Sequence, residues 1–224
     1  SGGDCAIYLN TPGEFSLADA LSQQRRLDKR MAASALSRHP SGLRLLTMPR
    51  HAALPAAGEI DALVQRLGQY FEHLVLDLGA DTPLPVLAEV LPQASQIWLV
   101  CDQSVASVVW TAELLQQLQA IGIAPERIEL IVNRHDSRLE LAASHMAAQL
   151  QLPLLGSIPE RRRPLMQEVN RGLLLQAQRR SEPYVKAVGQ LADQLLAAHH
   201  PQRVGHRSGA AGPLQHLLQR LRGH

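Results

Sequence analysis

The feature that most restricts the fold is an alternation of short, continuous apolar runs with longer segments of helical spacing. Residues 96–102, 127–134 and 153–159 are such runs. Between them lie 104–122 and 137–151, whose apolar residues recur every three to four positions, as in amphipathic helices. Strands without a polar alternate face are typical of a parallel sheet covered by helices on both sides. The sequence therefore predicts a three-layer α/β fold with mostly parallel strands.

The same pattern continues on both sides of this central part. Further strands are predicted at 42–49 and 73–78, the latter reading HLVLDL. The long helix at 104–122 has Ser104 as a candidate N-cap and Gly122 at its end. By the same criteria, helices are predicted at 58–71, 84–92, 160–171 and 183–199.

Composition excludes several classes of protein. A chain of 224 residues suits one large domain or a domain with a tail, and 46% apolar residues can fill its core. A net charge of +2 gives no reason to expect nucleic-acid binding. The two cysteines, Cys5 and Cys101, form no motif, which favours a reducing, cytosolic setting. We find neither an 18-residue apolar run nor a signal peptide at the start.

The character of the chain changes near residue 201. We assign residues 1–200 to the α/β domain, 201–212 to a flexible linker and 213–224 to a basic amphipathic helix. Such a helix can lie in a membrane interface, and the alternatives are a disordered tail or a helix that docks on its own domain. The candidate membrane-contacting residues are Leu214, Leu217, Leu218, Leu221, Arg220 and Arg222.

Polar residues follow the predicted strands at the edge where parallel sheets bind ligands. Asp77 and Asp81 follow the 73–78 strand. A carboxylate there could orient a magnesium-bound water, or it could belong to an ordinary turn. Asn133 offers a donor and an acceptor that suit the edge of a purine, with an Asx turn as the alternative.

The last strand ends in a proline and a carboxylate, followed by three arginines. Pro159 ends the strand, and Glu160 lies where a helix N-terminus favours negative charge. The arginines 161–163 fit a solvated helix face, or a contact with phosphate, an acidic partner or lipid. A phosphate-binding loop needs glycines and a lysine, but neither Lys29 nor Lys186 follows a glycine-rich turn. We therefore expect this chain alone not to bind a nucleotide tightly.

Taken together, these residues resemble the MinD/ParA group of P-loop ATPases. The closest resemblance is to the CpaE/TadZ branch, which helps to localise and assemble Flp-type (tight adherence) pili. It extends in the family's order from residue 3 to about residue 196. The segments that carry it are GDCAIYLNTPGEFSLADAL, LDKRMAASALSRHPSGLRLLTMPR, YFEHLVLDLGAD, QIWLVCDQSVASVVWTAELLQQLQAIG, RIELIVNRHD and LLGSIPERRRPLMQEVNRGL.

The resemblance implies roles for individual residues and implies ATP and Mg²⁺ as cofactors. Asp77 matches the Walker B aspartate, which holds magnesium through water, and Asp81 falls in the second switch segment. Asn133, with Arg134 beside it, matches the asparagine that recognises adenine. The IPE sequence at 158–160, which contains Pro159 and Glu160, matches the loop that closes over the base.

The family resemblance also implies a cellular setting. The expected protein is cytoplasmic, peripheral at the inner membrane of a bacterium, homodimeric with ATP bound, and a partner of pilus or secretion machinery. One alternative is a non-hydrolysing scaffold with a degenerate site. Another is a related ATPase that positions plasmids, flagella or the division site.

The chain departs from the family at its N-terminus. The family opens with a strand, a lysine-bearing glycine loop (the Walker A motif), a helix and a second strand, all of which would precede residue 1. We expect the chain alone to be catalytically inert. Because the missing first strand is central in the family's sheet, its neighbours would lose their ladder partners. We therefore also predict poor stability or aggregation.

Overall fold

The structure, a computed structural model, describes residues 4–11, 13–48, 55, 58–175 and 179–199. The described residues before position 82 form short helices and one hairpin, and those after it form a regular sheet with long helices. We call these two parts the N-terminal and C-terminal regions.

The N-terminal region packs around a small apolar core that includes Leu27, Leu63 and Leu67. Two of its helices, α2 and α3, begin at side-chain caps. Asp28 accepts a hydrogen bond from the backbone N–H of Met31 at 2.7 Å. The elements of this region are α1 (Asp4–Tyr8), α2 (Leu17–Ser22), α3 (Lys29–Ala35), β1 (Ser37–Arg38), β2 (Arg44–Leu45) and α4 (Glu59–Gly68).

The C-terminal region contains a parallel sheet with strand order β3-β4-β5. Its helix α6 begins at Ser104, whose hydroxyl accepts a hydrogen bond from the N–H of Ser107, and ends before Gly122, which has a positive φ of 86°. The elements are α5 (Leu84–Val90), β3 (Ile97–Asp102), α6 (Val105–Ala120), β4 (Ile128–His135), α7 (Ala143–Leu150), β5 (Leu154–Pro159), α8 (Arg162–Val169) and α9 (Pro183–His199).

Helices cover both faces of this sheet. On one face, the buried Leu130 and Val132 of β4 belong to a core shared with α6 and α7. On the other face, Gly156 of β5 lies against α9, because a Cβ at this position would meet Leu191 Cδ2 at 3.0 Å. The predicted three-layer α/β fold is therefore confirmed.

Three predicted elements are wrong in whole or in part. Residues 73–79 form no strand and belong to neither described sheet. A strand at 42–49 reduces to the two residues of β2, because the chain turns back at Gly42, which has a φ of 96°. The helix predicted from 137 begins only at Ala143, because side-chain hydrogen bonds hold residues 136–141 in a loop.

Two further predictions concern membranes and the tail. No helix within the described residues is both long and apolar enough to cross a membrane. The predicted linker at 201–212 and the amphipathic helix at 213–224 lie outside the described residues.

Candidate functional site

Four of the residues predicted from the sequence meet at the carboxyl edge of the sheet. Asn133 and Arg134 lie near the end of β4, and Pro159 and Glu160 lie at the end of β5. The strand register pairs His135 with Pro159, and the N–H of Glu160 donates to the carbonyl of His135 at 3.0 Å. The two strand ends thus form one continuous edge.

The β4 strand contains a bulge at this edge. Between the pairs Val132–Ser157 and His135–Pro159, β4 has two residues where β5 has one. Arg134, one of the two, has a φ of 52°, a left-handed conformation that costs a non-glycine residue roughly 1–2 kcal/mol. Bulges next to binding sites commonly redirect a side chain.

Arg134 lies between two carboxylates from the neighbouring strands. Its Nη1 is 3.1 Å from Asp102 Oδ2 at the end of β3, and its Nε is 3.9 Å from Glu160 Oε2. The Arg134 side chain is 65% exposed, so each pair contributes at most about 1 kcal/mol. Glu160 uses its other oxygen to accept the N–H of Arg162 at 2.8 Å, at the start of α8. The ion pairs therefore join all three strand ends.

Asn133 differs from its neighbour. Its backbone lies in register with Asp102, and its side chain is half-buried. Among the described residues, no hydrogen bond occupies its side-chain amide. One donor group and one acceptor group are therefore available to a ligand at the carboxyl edge.

The loop after β4 is held by a further carboxylate, that of Asp136. Asp136 accepts hydrogen bonds from the N–H of Arg138 at 3.0 Å and from its guanidinium at 2.6 Å. These hydrogen bonds lower the pKa of Asp136 to about 2. Its backbone N–H donates to Gln103 Oε1 at 2.7 Å. The Asp136 carboxylate is thus hydrogen-bonded within its own loop.

Sequence reasoning missed Gln103 as a site residue. Asp102 is the last residue of the run 96–102 that predicted a strand, but nothing in the local sequence marks Gln103. Its hydrogen-bond partners Asp136 and Leu141 lie 33 and 38 residues further along the chain, so only the fold reveals these contacts.

Asp77 and Asp81 lie elsewhere, in the stretch between α4 and α5. Both are exposed, and Asp81 lies in a turn in which the N–H of Thr82 donates to the carbonyl of Gly79. The thiol of Cys5 in α1 donates to Asp77 Oδ2 at 3.2 Å. Among the described residues, no hydrogen bond or ion pair joins Asp77 to Asn133 or Arg134. The two parts of the predicted site are therefore not brought together by direct bonds.

The described residues fit the base of a nucleotide better than its phosphates or magnesium. Asn133 supplies the donor and acceptor that a base edge requires. Lys29 begins α3 and Lys186 lies within α9, so neither extends from a glycine-rich loop. In the described part of the chain, no group of three His, Cys, Asp or Glu residues could hold a metal ion. We therefore derive no phosphate chemistry for this chain.

Comparison with known proteins was made by sequence and by structure. No protein-family model matches, and no curated protein matches. A ParA family ATPase from Chlorobium tepidum TLS has a TM-score of 0.75 at 20% identity, over 87% of this chain and 81% of that one. The fold is that of ParA/MinD-type P-loop NTPases.

Two MinD proteins are also similar. The cell division protein MinD of Aquifex aeolicus has a TM-score of 0.67 at 16% identity, over 86% of this chain and 79% of that one. The septum site-determining protein MinD of Pyrococcus horikoshii OT3, complexed with Mg-ADP, has a TM-score of 0.65 at 17% identity, over 86% and 78%. The ParA/MinD-type fold is thus shared with proteins named for cell division, one of them complexed with Mg-ADP.

Proposed function

We propose that this chain is the base-recognising part of a MinD/ParA-like ATPase that localises and assembles Flp-type pili or related secretion machinery. The observation that carries the proposal is Asn133, whose side-chain amide is available at the carboxyl edge of a sheet with the ParA/MinD-type fold. In a protein that also holds the phosphates, ATP would promote a homodimer at the cytoplasmic face of the inner membrane.

Recognition of the base can be tested on the chain itself. Adenosine carries no phosphate, so its binding does not depend on a phosphate loop. We expect ligand-observed NMR to detect adenosine binding with a Kd in the millimolar range and weaker binding of guanosine. Asn133→Ala should abolish the difference between the two nucleosides. Absence of adenosine binding, or equal binding by the Asn133→Ala variant, would refute the assignment.

Asp77 and Asp81 are the site residues that we assign to ATP hydrolysis and its control. The family resemblance supports Asp77 as the carboxylate that would orient magnesium and Asp81 as a switch residue. A glycine-rich loop ending in Lys-Thr or Lys-Ser, encoded just before Ser1, is expected on this proposal. A reading frame without it would refute the ATPase assignment.

The proposed membrane contact rests on the sequence of residues 213–224. One short amphipathic helix binds weakly, and two copies in a dimer would bind more strongly. Flotation with anionic liposomes should recover the full chain and should recover less of a chain lacking 213–224. Equal flotation of both would remove the membrane contact from the proposal.

The pilus role is tested in the source organism. Deletion of the gene should remove surface pili, and a fluorescent fusion should localise to the cell envelope where pili assemble. Normal pili with a defect in division, flagella or plasmid inheritance would instead indicate a related positioning ATPase.

A non-hydrolysing scaffold is the second candidate. It is favoured by the fact that, in the described residues, neither a lysine-bearing glycine loop nor a group of metal ligands is present. Pilus assembly that tolerates Asp77→Ala would support the scaffold over the ATPase.

A further inference from the structure

The side chain of Gln103, directly after β3, bonds to the loop that follows β4. Its Oε1 accepts the N–H of Asp136 at 2.7 Å, and its Nε2 donates to the carbonyls of Leu141 at 2.7 Å and Asp136 at 3.2 Å. All three bonds are partly buried. One neutral side chain therefore fixes both ends of the segment 136–141.

This segment begins only two residues after the bulge that contains Asn133 and Arg134. Nothing regular supports it, because β4 ends at His135 and α7 starts at Ala143. The bulge also interrupts the ladder to β5. Asn133 is held by β3 on one side, through its pairing with Asp102, while the ladder to β5 is broken at the bulge, so the loop beyond the bulge is a second restraint on this stretch.

Two adjacent side chains contact the chain around the bulge and the loop after it. They are Asp102, at the end of β3, and Gln103, directly after it. Asp102 reaches Arg134 through an ion pair whose side chains are 45% and 65% exposed. Gln103 reaches the backbone through partly buried bonds that salt does not screen. The exposed pair is therefore the weaker restraint, and Gln103 the stronger one.

We infer that Gln103 is a positioning residue that orients Asn133 for recognition of the base. The inference rests on the proposed function, since it concerns the same base-recognising edge. Gln103 acts only through the conformation of the β4–α7 loop, without touching the ligand.

The test uses the 224-residue chain with Gln103→Leu, which keeps the size but removes the hydrogen bonds. Gln116→Leu, on the exposed side of α6, is the matched control. We expect the N–H of Asp136 to exchange with solvent at least about tenfold faster in Gln103→Leu, because its acceptor is gone. Gln103→Glu keeps an acceptor and should preserve the protection.

Adenosine binding separates positioning from a purely structural role. We expect Gln103→Leu to raise the Kd for adenosine at least about fivefold, with Gln116→Leu unchanged. In the Asn133→Ala background, Gln103→Leu should have no further effect, because its action passes through Asn133. A general loss of stability would weaken binding in both backgrounds.

The outcomes are distinct. If the unmodified chain does not bind adenosine, the proposed base recognition fails and this inference fails with it. If the chain binds adenosine and Gln103→Leu weakens binding no more than Gln116→Leu, the inference is overturned while the proposed function stands. An effect of equal size with and without Asn133 would also overturn it.

Discussion

The two regions of the chain contain similar apolar runs, but only one of them uses the run as a strand. In β4, Ile131 and Val132 are 2% and 0% exposed. In segment 73–79, which belongs to neither described sheet, Val75 is 82% exposed and Leu76 is 42% exposed. Apolar content and β-branched residues alone therefore do not make a strand.

The difference lies in the neighbours. β4 has a parallel partner on each side, so its backbone groups are satisfied and helices cover both its faces. Segment 73–79 has no ladder partner among the described residues, and β3 is an edge strand of the described sheet. A helix satisfies its own backbone, but a strand depends on chain from elsewhere. An exposed apolar segment and an edge strand are both features at which chains can aggregate.

The largest expected effect comes from introducing a lysine into each of the two apolar runs, β4 and segment 73–79. Val132→Lys buries an unpaired ammonium in the core, which costs several kcal/mol, and we expect it to prevent folding. Val75→Lys changes an exposed position and should alter the free energy of unfolding by no more than about 0.5 kcal/mol. Urea unfolding followed by circular dichroism measures both.

Light scattering adds a second measurement for the same pair. Val75→Lys should reduce aggregation, because charge protects an exposed strand. If Val75→Lys destabilises the chain as strongly as Val132→Lys, segment 73–79 is a packed strand in solution and the contrast between the regions fails.

A smaller effect is expected where α9 is attached to the sheet. Glu182 has a side chain that is only 5% exposed, and it accepts a hydrogen bond from the N–H of Tyr184 at 2.6 Å and one from Arg161. Glu182→Ala removes an acceptor from a charged and a backbone donor, so we expect a loss of about 2 kcal/mol in urea unfolding.

Glu160→Ala is the matched control for this change, because its carboxylate is 40% exposed and also accepts a backbone N–H. It should cost no more than about 1 kcal/mol. Equal losses for Glu160→Ala and Glu182→Ala would mean that burial does not decide how strongly the outer helices are held.

Helix caps in the two regions provide the third test. Asp28→Ala in the N-terminal region and Ser104→Ala in the C-terminal region should each cost about 1 kcal/mol. Because the C-terminal region has the larger core, we expect the N-terminal region to unfold first. Hydrogen exchange should show Asp28→Ala weakening protection only before residue 82. Uniform loss across the chain would show a single cooperative unit.

Much of the C-terminal region could be predicted from the sequence because its signals are local. Continuous apolar runs predicted β3, β4 and β5, and helical spacing with Ser104 and Gly122 predicted α6. The failure at 73–78 arises because pairing is not encoded in the run itself, whereas the strand predicted at 42–49 is shortened by the turn at Gly42. The late start of α7 was missed because Gln103 and Arg138 hold the preceding loop through their side chains.

The candidate site also combines features that the local sequence predicts with features that depend on the fold. The strand ends placed Asn133 and Glu160 on one edge, as the sequence predicted. The bulge at Arg134 and its two ion pairs depend on the register between strands, which no local pattern contains. The roles of Asp77 and Asp81 rest on the family resemblance alone and stay predictions.

The smallest expected effect concerns the loop that the C-terminal region fixes with side chains. Arg138 lowers the pKa of Asp136 from 3.8 to about 2. Because the folded pKa is depressed, the stability that this contact contributes is complete above about pH 3.8 and is lost as the pH falls through about 2. Arg138→Gln should raise the pKa of Asp136 towards 3.8, as followed by NMR of its carboxyl carbon. Arg163→Gln, an exposed arginine on α8, is the control and should leave it unchanged. An Asp136 pKa that stays near 2 in Arg138→Gln would show that the backbone N–H of residue 138, rather than the guanidinium, holds this carboxylate in its charged form.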